Sequence, residues 1–137
     1  MQLQRRDILS AAALAGGAAA SAQAQTATRP GSDMSPTACI DDCWAAHRAC
    51  VQAAQSLAAR GGGGASAGRV ATLMDCAEIC AAAANALLRN SPTHGLMCGG
   101  CARLCDACAK ACEGDPTLQA CAQTCRRCAA SCQHMAM

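Results

Sequence analysis

Between Ser35 and His134 the apolar and small residues recur at steps of three and four, the period of a helix that buries one face. Leu73, Cys76, Cys80, Ala83 and Leu87 keep this rhythm, as do Cys39, Cys43, Ala46 and Cys50. Later the steps are 3, 4, 3, 4 through Cys98, Cys101, Cys105, Cys108 and Cys112, and 4, 3, 4 through Cys121, Cys125, Cys128 and Cys132. These are the a and d positions of a heptad. Alanine, the best helix former, fills the intervening positions, and strand-favouring residues are few.

Local punctuation cuts the pattern into four. Ser35-Pro36 supplies an N-cap and a first-turn proline for a helix over about 35–60, which Gly61 to Gly64 break. A second helix is predicted over 67–90, ending at Asn90-Ser91-Pro92, where Ser91 and Pro92 open a third over 92–113. Gly114 suits a left-handed cap, and Asp115-Pro116 starts a fourth helix over 116–134. Four helices with tight connections predict an all-α, antiparallel up-down-up-down four-helix bundle. Every cysteine then falls on the inward face, giving a cysteine-lined core.

Composition sharpens this. The 137 residues include 14 Cys and one Trp, with no Phe or Tyr, so an aromatic-filled enzyme core is excluded. A net charge of +2, with both signs interspersed, gives no footprint for nucleic acid or a membrane surface. Three histidines, scattered carboxylates and no aromatic pocket show no nucleophile–base–acid constellation, so catalysis is not expected.

The first residues, MQLQRRDILSAAALAGGAAASAQAQ, pair Arg5 and Arg6 ahead of an Ala/Gly-rich run and an Ala22-Gln23-Ala24 cleavage pattern. Residues 1–24 are expected to be a twin-arginine export signal, followed by a flexible lead over 25–34, and the mature protein is expected in the periplasm. Without Arg5, Arg6 and Asp7, nine basic and eight acidic groups remain. All 14 cysteines stay in the mature part.

Three chemistries compete for a tube of thiols. Cysteine packs singly as a small hydrophobe, but fourteen such residues in an exported chain argue for more. Disulfides suit the even count and export. However, helical i,i+4 neighbours sit about 5–6 Å apart at Cβ, wider than the ~3.8 Å a disulfide wants. The same separation lets two sulfurs converge on one ion. Soft thiolates select Cu(I), zinc or iron–sulfur clusters. Burying uncompensated charge costs several kcal/mol or more per ion, and a monovalent cation per thiolate cancels the charge where a four-thiolate zinc site leaves two negatives. Multiple Cu(I) ions, about one per cysteine, fit best. An iron–sulfur electron carrier and a disulfide-stapled structural bundle remain the competing classes. Ferredoxin ligands commonly come from loops and end in Cys-Pro, a dipeptide missing from this sequence.

The leader, a mature chain near 110 residues and inward Cys-x3-Cys pairs at 39/43, 76/80, 101/105, 108/112, 121/125 and 128/132 resemble the bacterial copper storage proteins. The resemblance implies Cu(I) held by the thiolates of Cys39, Cys43, Cys50, Cys76, Cys80, Cys98, Cys101, Cys105, Cys108, Cys112, Cys121, Cys125, Cys128 and Cys132. It also implies an exported copper reservoir and homo-oligomers. A copper chaperone or a copper-requiring enzyme is the expected exchange partner.

The up-down order collects Met34, His94, Met97, His134, Met135 and Met137 at one end and Leu57, Val70, Leu73 and Leu118 at the other. His94, Met97 and Met135 continue the thiol rows by three or four residues, so they are candidate metal ligands at an entrance, opposite an apolar plug. Met34, His134 and Met137 read as flexible bystanders, His47 as a flank contact, Met74 as outward-facing and Trp44 as an outer-flank packing or subunit contact. Gly99 and Gly100 point to close helix approach near the mouth.

Overall fold

The computed structural model describes residues 34–136; the leader, residues 25–33 of the lead, and Met137 lie outside the described residues. Four α-helices follow one another: α1 (Pro36–Arg60), α2 (Gly64–Leu88), α3 (His94–Ala111) and α4 (Gln119–Met135), the last preceded by a 3-10 turn over Pro116–Leu118. Consecutive helices pack against one another, and α4 closes the ring against α1. This is the antiparallel four-helix bundle.

The ends follow from capping chemistry. Ser35 Oγ accepts from the Ala38 N–H at 3.1 Å, and Pro36 occupies the first turn, where its missing N–H has no cost. Several boundaries differ from the sequence expectation by two or three residues. α2 begins at Gly64, three residues early, because Gly61 and Gly62, at φ of +70° and +118°, complete the turn by themselves. α3 begins at His94, because Ser91 Oγ accepts from the Thr93 N–H at 3.3 Å and Ser91 with Pro92 stays in the turn. Asp115 does cap the next segment, accepting from the Thr117 N–H at 2.9 Å, but that segment is one 3-10 turn before α4 opens at Gln119. Cys112, expected inside the third helix, is the residue that closes it.

At the end of α2, Asn90 takes the left-handed conformation at φ 51°, with Ser91 N–H bonding back to Ala86 O at 2.9 Å. That bond satisfies a carbonyl the ending helix leaves orphaned. α2 is long and apolar enough by composition to cross a bilayer, yet Leu73, Cys76, Cys80, Ala83 and Leu87 on it are buried in the bundle.

Alanines such as Ala46, Ala77, Ala84, Ala102, Ala122 and Ala129 are buried between the helices, while cysteines fill the centre. Side chains this small favour the short end of the usual interaxial range, about 8–10 Å. A Cβ on Gly99 would meet the Ala136 Cβ at 3.7 Å, and one on Gly100 would meet Ile79 Cδ1 at 3.2 Å. Gly100 thus marks close approach of α2 to α3, and Gly99 lies against the end of α4.

The flanks correct one expectation. Met74 packs against the core instead of facing outward; Trp44 packs there too, in keeping with its packing reading, and its ring stands edge-on to His47 at 5.6 Å. His47 Nδ1 lies 2.8 Å from the Ala77 carbonyl, which can only accept, so Nδ1 donates and ties α1 to α2. Between α1 and α4, the buried Ser131 hydroxyl donates to the buried Asp42 carboxylate, one residue before Cys132 and Cys43 respectively.

Candidate metal centre

The heptad register aims every thiol at the axis. All 14 cysteines are buried and free; thirteen keep 0–1% exposure, and Cys121 keeps 6%. Twelve of their sulfurs form four groups along the bundle, three of them overlapping, each with all its ligand atoms within 4.8 Å of one another. Nearest the end that carries Met97 and Met135 is Cys39, Cys98 and Cys132, then Cys43, Cys101, Cys128 and Cys132. Deeper follow Cys80, Cys101, Cys105 and Cys128, and then Cys50, Cys76, Cys108 and Cys125.

Shared members join the first three groups, and short sulfur–sulfur contacts reach the fourth. Cys132 Sγ lies 3.7 Å from Cys39 and 3.5 Å from Cys43. Cys105 Sγ, 3.5 Å from Cys80 and 3.6 Å from Cys76, links the third group to the fourth. Cys50 Sγ lies 3.5 Å from Cys125 and 3.8 Å from Cys121. Cys112 belongs to none of the four. A metal–thiolate bond of about 2.3 Å lets one ion span two sulfurs up to ~4.6 Å apart. The array can therefore hold ions between two or three sulfurs with small side-chain adjustments.

Protonation follows from the same packing. Desolvation leads in raising the Cys98 and Cys112 thiols, the latter to about 11. Cys39 is raised chiefly by its hydrogen bond with Cys132, with burial adding to it. Hydrogen bonds from neighbouring thiols, Cys105 first in each case, favour the thiolate on Cys76 and Cys101. Most of the array stays protonated until a cation replaces its protons, so binding and proton release are one event.

Met97 and Met135 are half-buried and pack against the core, while His134 is exposed. His94 Nδ1 donates to the Ser91 carbonyl at 2.8 Å, which leaves Nε2 as the nitrogen with a free lone pair. Leu57, Leu73 and Leu118 are buried at the opposite end, with Val70 half-buried beside them. There Asp115 gathers Arg60 at 3.1 Å and Arg69 at 3.9 Å, and hydrogen bonds from Thr117, then Arg60, hold its carboxyl down at about 2.

Two features lay outside the sequence reading. The Asp42–Ser131 pair sits beside the stripe, and its only sequence signal is a polar residue directly before a cysteine on each helix. A groove between α1 and α4 reaches Cys121, which heptad spacing alone does not distinguish from the other thirteen.

A closed bundle whose helices all turn thiols onto one continuous axis defines a class: a multinuclear metal–thiolate protein. Residues 32–137 match the family model described as copper storage protein, and the chain belongs to that family. The Nmul_A1745 protein from Nitrosospira multiformis is 40% identical over 74% of this chain and 94% of its own, with a TM-score of 0.70. The Cu(I)-bound copper storage protein BsCsp3 is 32% identical over 74% of this chain and 97% of its own, with a TM-score of 0.69. No curated protein matches the chain.

Proposed function

We propose that this protein is a non-catalytic Cu(I) reservoir, exported through the twin-arginine route to the periplasm, that holds about one cuprous ion per cysteine. The observation that carries the reading is the overlap of three of the four sulfur groups, with Cys105 lying 3.6 Å from Cys76 of the fourth, because shared thiolates bridge ions and leave no net charge when filled one to one. Soft, monovalent cargo suits a buried, thiol-only donor set better than divalent ions do. His94, Met97 and Met135 serve as the entrance, where imidazole and thioether bind Cu(I) more weakly than thiolate and pass it to Cys39, Cys98 and Cys132. A copper chaperone or a copper-requiring enzyme exchanges ions there, and the bundle assembles as a homo-oligomer.

The deciding experiment is anaerobic titration of the reduced apoprotein with Cu(I) against a competing chelator. Uptake should continue to roughly one ion per thiol. Saturation at one to four ions would refute storage, and iron with sulfide in the isolated protein would favour an electron carrier.

A further inference from the structure

The apolar plug closes the axis of the bundle at the end opposite the mouth, but it does not close the flank. Between α1 and α4 runs an open groove of about 450 Å³, within the ~300–1,000 Å³ of small-molecule sites. Gln52, Ser56, Arg60, Thr117 and Thr124 give it polar walls, and Cys121 lines it as well. Cys121 is also the most exposed of the cysteines, and it is not isolated: its sulfur lies 3.8 Å from Cys50, a member of the deepest four-thiol group. A path of sulfurs thus leads from the groove to the array without passing the mouth.

We infer that this groove is a lateral portal at which a small Cu(I)–thiol complex exchanges copper with the deep end of the array through Cys121. The inference rests on the storage reading above. The carrier is of low mass, because the groove has room for a small molecule. It bears carboxylates, because Arg60 presents a guanidinium with donors beyond those used on Asp115, beside the hydroxyls of Ser56, Thr117 and Thr124, while alanines and Leu118 form the apolar part of the wall. The step is a ligand exchange. Cys121 bonds Cu(I) as it loses its proton, one carrier thiolate leaves and takes that proton, and the metal stays Cu(I) throughout. Cys50 then replaces the second carrier thiolate in the same way. Release runs in reverse.

Two experiments test this. In the first, native apoprotein is treated with substoichiometric N-ethylmaleimide and the adduct is mapped by peptide mass spectrometry. Cys121 should be modified first; first modification at Cys39, Cys98 or any other thiol would overturn the portal. In the second, Gln52→Trp with Ala120→Trp covers the groove from exposed positions on both walls without altering a sulfur. Glutathione should then withdraw copper from the loaded protein about fivefold more slowly or worse, with capacity unchanged, and an unaltered rate would count against the portal. Should the double variant fold poorly, Ala120→Trp alone gives the same comparison with a smaller effect. A wild-type capacity of only a few ions would sink storage itself, whereas full capacity with no Cys121 preference would sink the portal alone.

Discussion

The sulfur groups predict that cysteines are unequal as ligands, and Cys101 and Cys112 make the sharpest contrast. Cys101 belongs to two of the four groups, with Cys80 at 3.6 Å and Cys105 and Cys128 both at 3.9 Å, whereas Cys112 belongs to none. Replacing Cys101 with alanine removes one sulfur from both groups at once. If each ion needs two or three sulfurs, that deletion should lower capacity by about two ions, against about one for Cys112→Ala. Folding does not confound the comparison. Both residues are buried, at 0% and 1% exposure, so each loss of one sulfur should cost the apoprotein roughly 1 kcal/mol. The assay is anaerobic Cu(I) titration of both variants beside wild type, with thermal melts of the apo forms. Equal losses of copper, with equal melting shifts, would refute the idea that shared sulfurs organise the array.

Three more expectations follow from the geometry. The folded-state value of Cys112, about 11 against an ordinary 9.0, means the folded chain keeps a proton that the unfolded chain sheds. The apoprotein should therefore be fully stable below about pH 9 and lose stability towards pH 11, while the copper-loaded form, its thiols already deprotonated, should show no such decline in alkaline melts. Gly99→Ala, whose Cβ makes an ordinary contact, should raise the melting temperature by the equivalent of up to about 1 kcal/mol; Gly100→Ala, pressed at 3.2 Å on Ile79, should gain less. Replacing His94, Met97 and Met135 together with alanine should change the rate of Cu(I) uptake from a protein donor in stopped-flow mixing while leaving capacity nearly intact. An unchanged rate would remove the entrance role.

The bundle could be read from the sequence because a single periodicity carries it. The 3-4 steps of Cys98 to Cys112 and Cys121 to Cys132 leave only one face to bury, and Ser35-Pro36 marks a start by local chemistry that needs no tertiary partner, whereas Asp115-Pro116 opens only the 3-10 turn before α4. The differences arise where local signals compete or vanish. Gly64 has no propensity that announces a helix, and Ser91 has one hydroxyl that the turn uses before the helix can. Cross-helix contacts were not legible at all. That Cys105 bridges Cys76 and Cys80, or that Ser131 meets Asp42, depends on the axial register of neighbouring helices, which spacing within one helix does not encode. Met74 packs inward for the same reason, since a residue off the thiol stripe can still face an adjacent helix.

The sharing of Cys101, Cys128 and Cys132 between groups has a consequence for how the protein behaves when only partly full. A given number of ions can be distributed over many nearly equivalent arrangements, and that multiplicity favours intermediate loads over an all-or-none fill. The last ion added then binds more weakly than the first by gradual steps, and the free Cu(I) level in equilibrium with the protein rises smoothly with its content. Such a molecule would take up and release copper over a broad range of free Cu(I), and not at one threshold.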